Sequence, residues 1–315
     1  MITILTNALA PIFAGLLIGY LGGLWRRMDN QNVQTFTRFV MDFAIPCSLF
    51  LAVATTPLHD LRQQSVPAIV LTIMYIILYA MGFLWARLKE HLNAADSSVL
   101  ALTLGFPNAA AVGLPLLASV FGSCSTVTVA TAVSIGSITV SSLTLLILEA
   151  SGERSRDGSR SHRIAFSLIR SISNPVVCAP MLGLAFSWSG MSLRAFISQS
   201  LATIGSAAAG AALVLTGLVV SAQALTIRAS TLIALILKCL LQPIVALAVA
   251  RLLRLPIDQV RYVTLIGATP CGFFGVVFGK RFGATPELAS TSLIASYLVS
   301  PATLAAWIAI VNRLA

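Results

Sequence analysis

The sequence predicts an all-α integral membrane protein, and its composition and hydropathy lead to that prediction. Hydrophobic residues make up 57% of the 315 residues and charged residues 10%, against roughly 45–50% and about 25% in soluble domains. The mean hydropathy is +0.93. A bilayer-crossing helix needs roughly 20 apolar residues, so the chain has room for about ten helices. We expect no soluble domain.

Apolar runs bounded by polar and turn residues mark the individual helices. We place them at 2–24, 31–55, 66–86, 96–121, 124–149, 164–187, 194–221, 229–253, 257–283 and 287–312. The hydrophilic linker 151–163 divides the chain into 1–150 and 164–315, each with five helices. An odd number of crossings makes the second half enter from the opposite side of the membrane. The two halves are therefore predicted to be inverted repeats.

The fourth predicted helix is interrupted between Gly105 and Pro115. Pro107 and Pro115 each lack an N–H and clash with the preceding turn. In hydrocarbon, the backbone groups freed in this way must be satisfied by protein or by a water-lined cavity. We therefore predict a broken helix at membrane depth, with Asn108 at the break.

The ninth predicted helix carries a second interruption, and Pro270 lies 163 residues after Pro107. Two Gly/Pro-interrupted segments at corresponding places in two halves point to the binding site of a transporter. The candidate substrate-binding residues are Pro107, Asn108, Thr269, Pro270, Cys271 and Gly272. Helix N-termini exposed at such breaks carry partial positive charge, which suits a carboxylate. The alternative for Asn108 is a helix cap, which is compatible with binding.

Ionisable residues within predicted membrane helices are the other functional candidates. Asp42 follows Arg38 at an i,i+4 spacing, which permits an ion pair. This pair is either structural and buried between helices, or Asp42 carries a coupling proton. Lys238 is either a counter-ion for an anionic substrate or a packed or snorkelling side chain.

The charge distribution predicts topology rather than nucleic-acid binding. The net charge of +10 is expected to reflect loop charges and contact with anionic lipid. Loops after the odd-numbered helices hold eleven Lys and Arg residues and the opposite side holds five. By the positive-inside rule, both termini lie on the non-cytoplasmic side of the membrane.

Enzymatic chemistry finds little support in the sequence. The three histidines fall in predicted loops, and the five cysteines are scattered without a CxxC pair. The run Gly275 to Arg281 has the wrong spacing for a phosphate loop and ends in Arg where Ser or Thr is required. We predict neither a cofactor, nor a metal, nor an enzyme.

Several of these motifs together resemble the auxin efflux carrier family, which includes plant PIN auxin carriers and bacterial permeases for malonate and related carboxylates. The stretch from Leu104 to Asn108 and the stretch from Val112 to Leu117 are similar to its "PNT..MG.PLL" segment. The second break is similar to the family's second crossover. The remaining matching segments are Arg38 to Val40, Phe43 to Pro46, Asn174-Pro175, Val277 to Lys280 and Pro286 to Thr291.

The resemblance implies ten helices in two inverted repeats, with crossing broken helices 4 and 9 as in bile-acid symporters and NhaA-type antiporters. It implies a scaffold of helices 1, 2, 6 and 7, with the other helices forming a moving domain. Asn108 matches the family's substrate-contacting Asn, and a homodimer is allowed. Leu71 and Tyr75 stand where plant members place Asp and Lys, so that charged site is not carried over.

The leading hypothesis is a bacterial plasma-membrane transporter of a small malonate-like organic anion, proton-linked and elevator-type. One alternative is a sodium-coupled symporter of the bile-acid type. Another is an exporter of an auxin-like organic acid. A non-transporting membrane sensor or enzyme is a fourth reading, without a supporting motif.

Overall fold

The computed structural model describes residues 2–30, 33–55, 63–151, 175–191, 193–222 and 228–314. Throughout these ranges the regular secondary structure is helical, and no β-strand occurs in them. The all-α prediction is therefore confirmed for the described residues. The linker arginines and Asn174 lie outside them.

The helices follow the predicted ranges closely. In chain order they are α1 Ile2–Leu24, α2 34–54, α3 Ser65–Leu88, α4 Ala94–Gly105, α5 Ala109–Phe121, α6 Thr126–Ser151, α7 Pro175–Trp188, α8 Ala195–Ser221, α9 Ala229–Leu252, α10 Ile257–Ala268, α11 Phe274–Phe282 and α12 Glu287–Asn312. The fourth and ninth predicted helices each occur as two, α4 with α5 and α10 with α11. Among the described residues, five helices are long and apolar enough to cross a membrane, namely α3, α6, α8, α9 and α12.

Helices α2, α5 and α9 each contain a π-helical turn that ends two residues before a proline. The turns are Phe39–Ala44 before Pro46, Ala109–Gly113 before Pro115 and Ile236–Leu241 before Pro243. A proline has no N–H, and its ring clashes with the carbonyl group four residues earlier. A π turn pairs residues five apart and moves that carbonyl group away. The helix therefore continues through the proline with a local distortion.

One compact unit comprises Met1–Ala68, Ala109–Ser134 and Asn174–Ala222. Within it, α1 and α8 approach through glycines. A Cβ atom on Gly19 would overlap the carbonyl oxygen of Val214, and one on Gly217 would overlap that of Leu16. Small residues at such positions let two membrane helices pack at short distance. This unit contains α1, α2, α7 and α8, which the resemblance assigns to a scaffold, and also α5 and the start of α6, which it assigns to the moving domain.

The second unit comprises Ile69–Asn108, Ile135–Ser173 and Gln223–Ala315. Within it, α4 and α11 pack through Gly275 and Gly279. A Cβ atom on Gly275 would overlap the hydroxyl of Thr103, and one on Gly279 would lie 3.2 Å from Val99 Cγ1. The glycine spacing that superficially resembles a phosphate loop therefore serves helix packing. Each unit draws helices from both halves of the sequence.

Candidate functional site

Two prolines, Pro107 and Pro270, end α4 and α10 in the same way. A proline pushes the residue before it into an extended conformation. Phe106 (φ −105°, ψ 99°) and Thr269 (φ −60°, ψ 151°) both adopt one. The predicted interruptions at these prolines are confirmed, and a new helix starts a few residues after each of them.

The two interruptions lie side by side in the second unit. The N–H of Asn108 donates to the carbonyl oxygen of Pro270 at 2.9 Å. Pro107 and Cys271 form an isolated antiparallel bridge. Backbone groups released by helix breaks in a membrane need partners within the protein, and each break supplies some for the other. We call these two segments, 106–108 and 269–273, the crossing.

Close backbone approach and aromatic packing shape the crossing. A Cβ atom on Gly272 would overlap the carbonyl oxygen of Phe106, so only glycine fits there without a shift. The Phe106 ring stacks on Phe274, with ring centroids 5.3 Å apart, and meets Tyr75 edge-on at 5.6 Å. Tyr75 is fully buried. One position at which plant members place a charge therefore packs an aromatic ring against the crossing.

Helix α12 holds both segments of the crossing through two neighbouring side chains. Asn108 Nδ2 donates to Tyr297 Oη at 2.6 Å. The N–H of Cys271 donates to Ser296 Oγ at 3.1 Å, and that hydroxyl donates to the carbonyl oxygen of Leu293 at 2.8 Å. Sequence reasoning missed Ser296 and Tyr297. The sequence signal was weak, because the predicted helix 287–312 also contains Ser290, Thr291, Ser292, Ser300 and Thr303.

Lys238 lies on α9 and has no exposed surface. Its Nζ donates to Gln242 Oε1 and, at 3.1 Å, to the carbonyl oxygen of Gly267. Gln242 Nε2 donates to the carbonyl oxygen of Gly105 at 2.8 Å. Gly105 is the last residue of α4, and Gly267 is the last but one of α10. The Lys238–Gln242 pair thus binds the C-terminal ends of both interrupted helices.

Lys238 lies in a π-helical turn of α9, and Pro243 follows that turn. In a regular helix the carbonyl of Cys239 would accept from the N–H of residue 243, but Pro243 has none. The indole Nε1 of Trp307 on α12 donates to that carbonyl oxygen at 2.9 Å instead. Trp307 and Cys239 are both buried. The Trp307 side chain therefore stabilises the π-helical turn that contains Lys238.

The six predicted substrate-binding residues are all buried and lie together at the crossing. The hydroxyl of Thr269 donates to the carbonyl oxygen of Ile266 at 2.8 Å, and its N–H also bonds to the last turn of α10. Thr269 therefore caps the C-terminal end of α10. Asn108 differs from Thr269, because its side-chain amide hydrogen-bonds to Tyr297 on a neighbouring helix, α12.

Arg38 and Asp42 lie in the other unit, on α2. Both side chains are exposed, and the described residues contain no ion pair between them. The buried structural pair, one of the two readings of these residues, is therefore not seen; the other, that Asp42 carries a coupling proton, stays a prediction. Arg38 directly precedes the π-helical turn Phe39–Ala44, and Asp42 lies within it. The i,i+4 spacing permits an ion pair but does not by itself produce one.

Comparisons with known proteins agree with this architecture. A family model described as "Membrane transport protein" matches residues 4–308. The chain is 25% identical to the uncharacterized transporter YfdV of Escherichia coli, over 98% of each chain. It is 22% identical to auxin efflux carrier component 8 of Arabidopsis thaliana, over 95% of each chain. An uncharacterized transporter of Methanothermobacter thermautotrophicus is 21% identical, over 96% of this chain and 97% of its own.

Apolar helices of membrane-spanning length and two interrupted helices in contact define a multi-pass membrane transporter. The chain belongs to the auxin efflux carrier family of membrane transport proteins, as the match over residues 4–308 shows. The family predicted from the sequence motifs is therefore confirmed.

Proposed function

We propose that the protein is a secondary active transporter of a small organic anion, a malonate-like mono- or dicarboxylate, with Asn108 contacting the substrate at the crossing. The observation that carries this proposal is the contact between two interrupted helices around Asn108 in a member of a transporter family.

The electrostatics of the crossing favour an anion. Helix α11 begins at Phe274, directly after the second segment of the crossing. The first N–H groups of a helix have no partner within the helix and carry partial positive charge. Such ends bind carboxylates and phosphates readily. An aromatic and aliphatic surround strengthens these interactions by excluding water.

The membrane potential bears on coupling. With the cell interior negative, importing one anionic charge costs roughly 2.3 kcal/mol per 100 mV, so a dianion opposes about 4.6 kcal/mol. Uptake therefore needs cotransported cations, and we propose protons. Because the crossing is buried, access from either side requires movement. We propose an elevator-type movement of the crossing relative to a scaffold that contains α1, α2, α7 and α8.

Uptake of labelled malonate into proteoliposomes tests this proposal. An inward proton gradient should drive accumulation, and a sodium gradient should not. Asn108→Ala should raise the apparent KM about tenfold or more, because hydrogen bonds to charged groups contribute about 1.5–3 kcal/mol. Asn312→Ala, at an exposed position near the end of α12, is the control and should transport normally. Absence of accumulation under either gradient would refute the substrate class.

Two alternatives predict different outcomes in the same assay. A sodium-coupled symporter of the bile-acid type would accumulate substrate only with a sodium gradient. An exporter of an auxin-like organic acid would instead release a preloaded aromatic monocarboxylate without either gradient. The second alternative draws support from the similarity to a protein named as an auxin efflux carrier.

The remaining elements of the proposal concern topology and assembly. We propose two inverted repeats, 1–150 and 164–315, in a bacterial plasma membrane with both termini on the non-cytoplasmic side, and assembly as a homodimer. The excess of basic residues in loops after odd-numbered predicted helices supports this orientation. Reporter fusions at the two termini test it, because a cytoplasmic signal from either fusion would contradict it.

A further inference from the structure

Lys238 is a fully buried lysine whose hydrogen-bond acceptors are all neutral. Its Nζ bonds to an amide oxygen, Gln242 Oε1, and to a backbone oxygen, that of Gly267. Among the described residues no carboxylate pairs with it. A buried ammonium group without compensating charge is strongly destabilising. The compensation must therefore come from the backbone.

Helix ends supply that compensation. The C-terminal end of a helix carries partial charge equivalent to roughly −0.5. Lys238 bonds directly to the end of α10 at Gly267, and through Gln242 it reaches the end of α4 at Gly105. Two such ends offer about one negative charge in total, which matches one ammonium group.

We propose that Lys238 is a built-in cation that binds the C-terminal ends of α4 and α10 together and thereby positions the crossing, with Gln242 and the Gly267 carbonyl group as its receptor. Lys238 is then a positioning residue and not a direct counter-ion of the substrate. Its single charge is already balanced by the two helix ends. Gln242 connects Lys238 to the end of α4 by accepting a hydrogen bond from Nζ and donating one to the Gly105 carbonyl oxygen. This role goes beyond the proposed function and holds for any substrate.

The receptor should accept a small ammonium ion once the lysine side chain is removed. In Lys238→Ala, the amide and carbonyl oxygens remain and a space of side-chain size opens beside them. Methylammonium carries the same donors as the lysine Nζ, whereas choline has the same charge but no N–H. Comparing the two as chloride salts at equal concentration isolates hydrogen-bonded cation binding from ionic strength.

The test is the thermal unfolding of purified variants in detergent. Methylammonium should raise the Tm of Lys238→Ala by at least about 2 °C over choline, through binding to the folded state. The wild-type Tm should not differ between the two salts. Met74→Ala is the matched control, because Met74 is also fully buried and its sulfur lies next to Gly267. That variant opens a space without removing the cation, so methylammonium should have no specific effect on it.

A second variant keeps the proposal testable if Lys238→Ala does not fold. Lys238→Met preserves volume but leaves the Gln242 and Gly267 oxygens without a donor. It should lower the Tm on the order of 5 °C, and methylammonium should not restore it because the space is filled. A Lys238→Met protein as stable as the wild type would overturn the proposal. Equal Tm values of Lys238→Ala in methylammonium and choline would do so too. Neither result depends on transport, so the proposed substrate class is tested separately.

Discussion

The hydrogen bond from Trp307 to the carbonyl of Cys239 allows a prediction with an internal control. Trp307→Phe removes the indole donor, and Pro243 lacks the N–H that this buried carbonyl would accept in a regular helix. An unsatisfied buried acceptor costs about 1–3 kcal/mol. The smaller ring adds the cost of a cavity. We expect Trp307→Phe to be destabilised by more than the cavity alone explains.

Pro243→Ala separates the two contributions, because alanine restores an N–H four residues after Cys239. In the Pro243→Ala background, Trp307→Phe should cost only the cavity. The double-mutant cycle should therefore give a coupling energy of about 1 kcal/mol or more, measured by far-UV circular dichroism during thermal unfolding. Additive effects, with a coupling below about 0.5 kcal/mol, would refute the idea that Trp307 replaces the missing backbone donor.

Three further predictions concern the crossing and α2. Gly272→Ala should lower stability by about 1–3 kcal/mol and abolish transport, because its Cβ overlaps the carbonyl of Phe106; Gly210→Ala, with open space around it, is the control in the same melting assay. Ser296→Ala should cost about 1–3 kcal/mol, since the buried N–H of Cys271 loses its acceptor, and an unchanged Tm would contradict this. Asp42→Asn should stay within about 0.5 kcal/mol of wild type by the same measurement, because the described residues show no ion pair of Asp42 with Arg38 that the change would remove.

The two helix breaks could be predicted from the sequence because proline chemistry is local. Pro107 and Pro270 act on the residue before them and on one preceding turn, so no knowledge of packing is needed. Their contact followed from their corresponding places in two halves of the chain. The partners on α12 could not be predicted in this way. That helix has apolar residues on all sides, so periodicity does not indicate which face carries Ser296 and Tyr297 toward the crossing.

The pairing of Arg38 with Asp42 that the i,i+4 spacing permits does not occur among the described residues. Arg38 directly precedes a π-helical turn in α2, and Asp42 lies within it. The sequence contained a signal for this π-helical turn, because Pro46 lies two residues after its end. In α9 the i,i+4 rule holds despite a π-helical turn, since Gln242 follows Lys238 by four residues and the two side chains bond. Spacing alone therefore does not decide pairing next to a proline.

The arrangement of helix ends links the proposed site to its charge preference. An interrupted helix presents a negative C-terminal end and a positive N-terminal end at the same break. At the crossing, the ends of α4 and α10 are already bound by Lys238 and Gln242. The N-terminal end of α11 begins at Phe274, within the same unit. If Lys238 is the cation bound at the two C-terminal ends, as proposed, the N-terminal end of α11 is left to attract a negative charge, which supports the proposal of an organic anion as substrate.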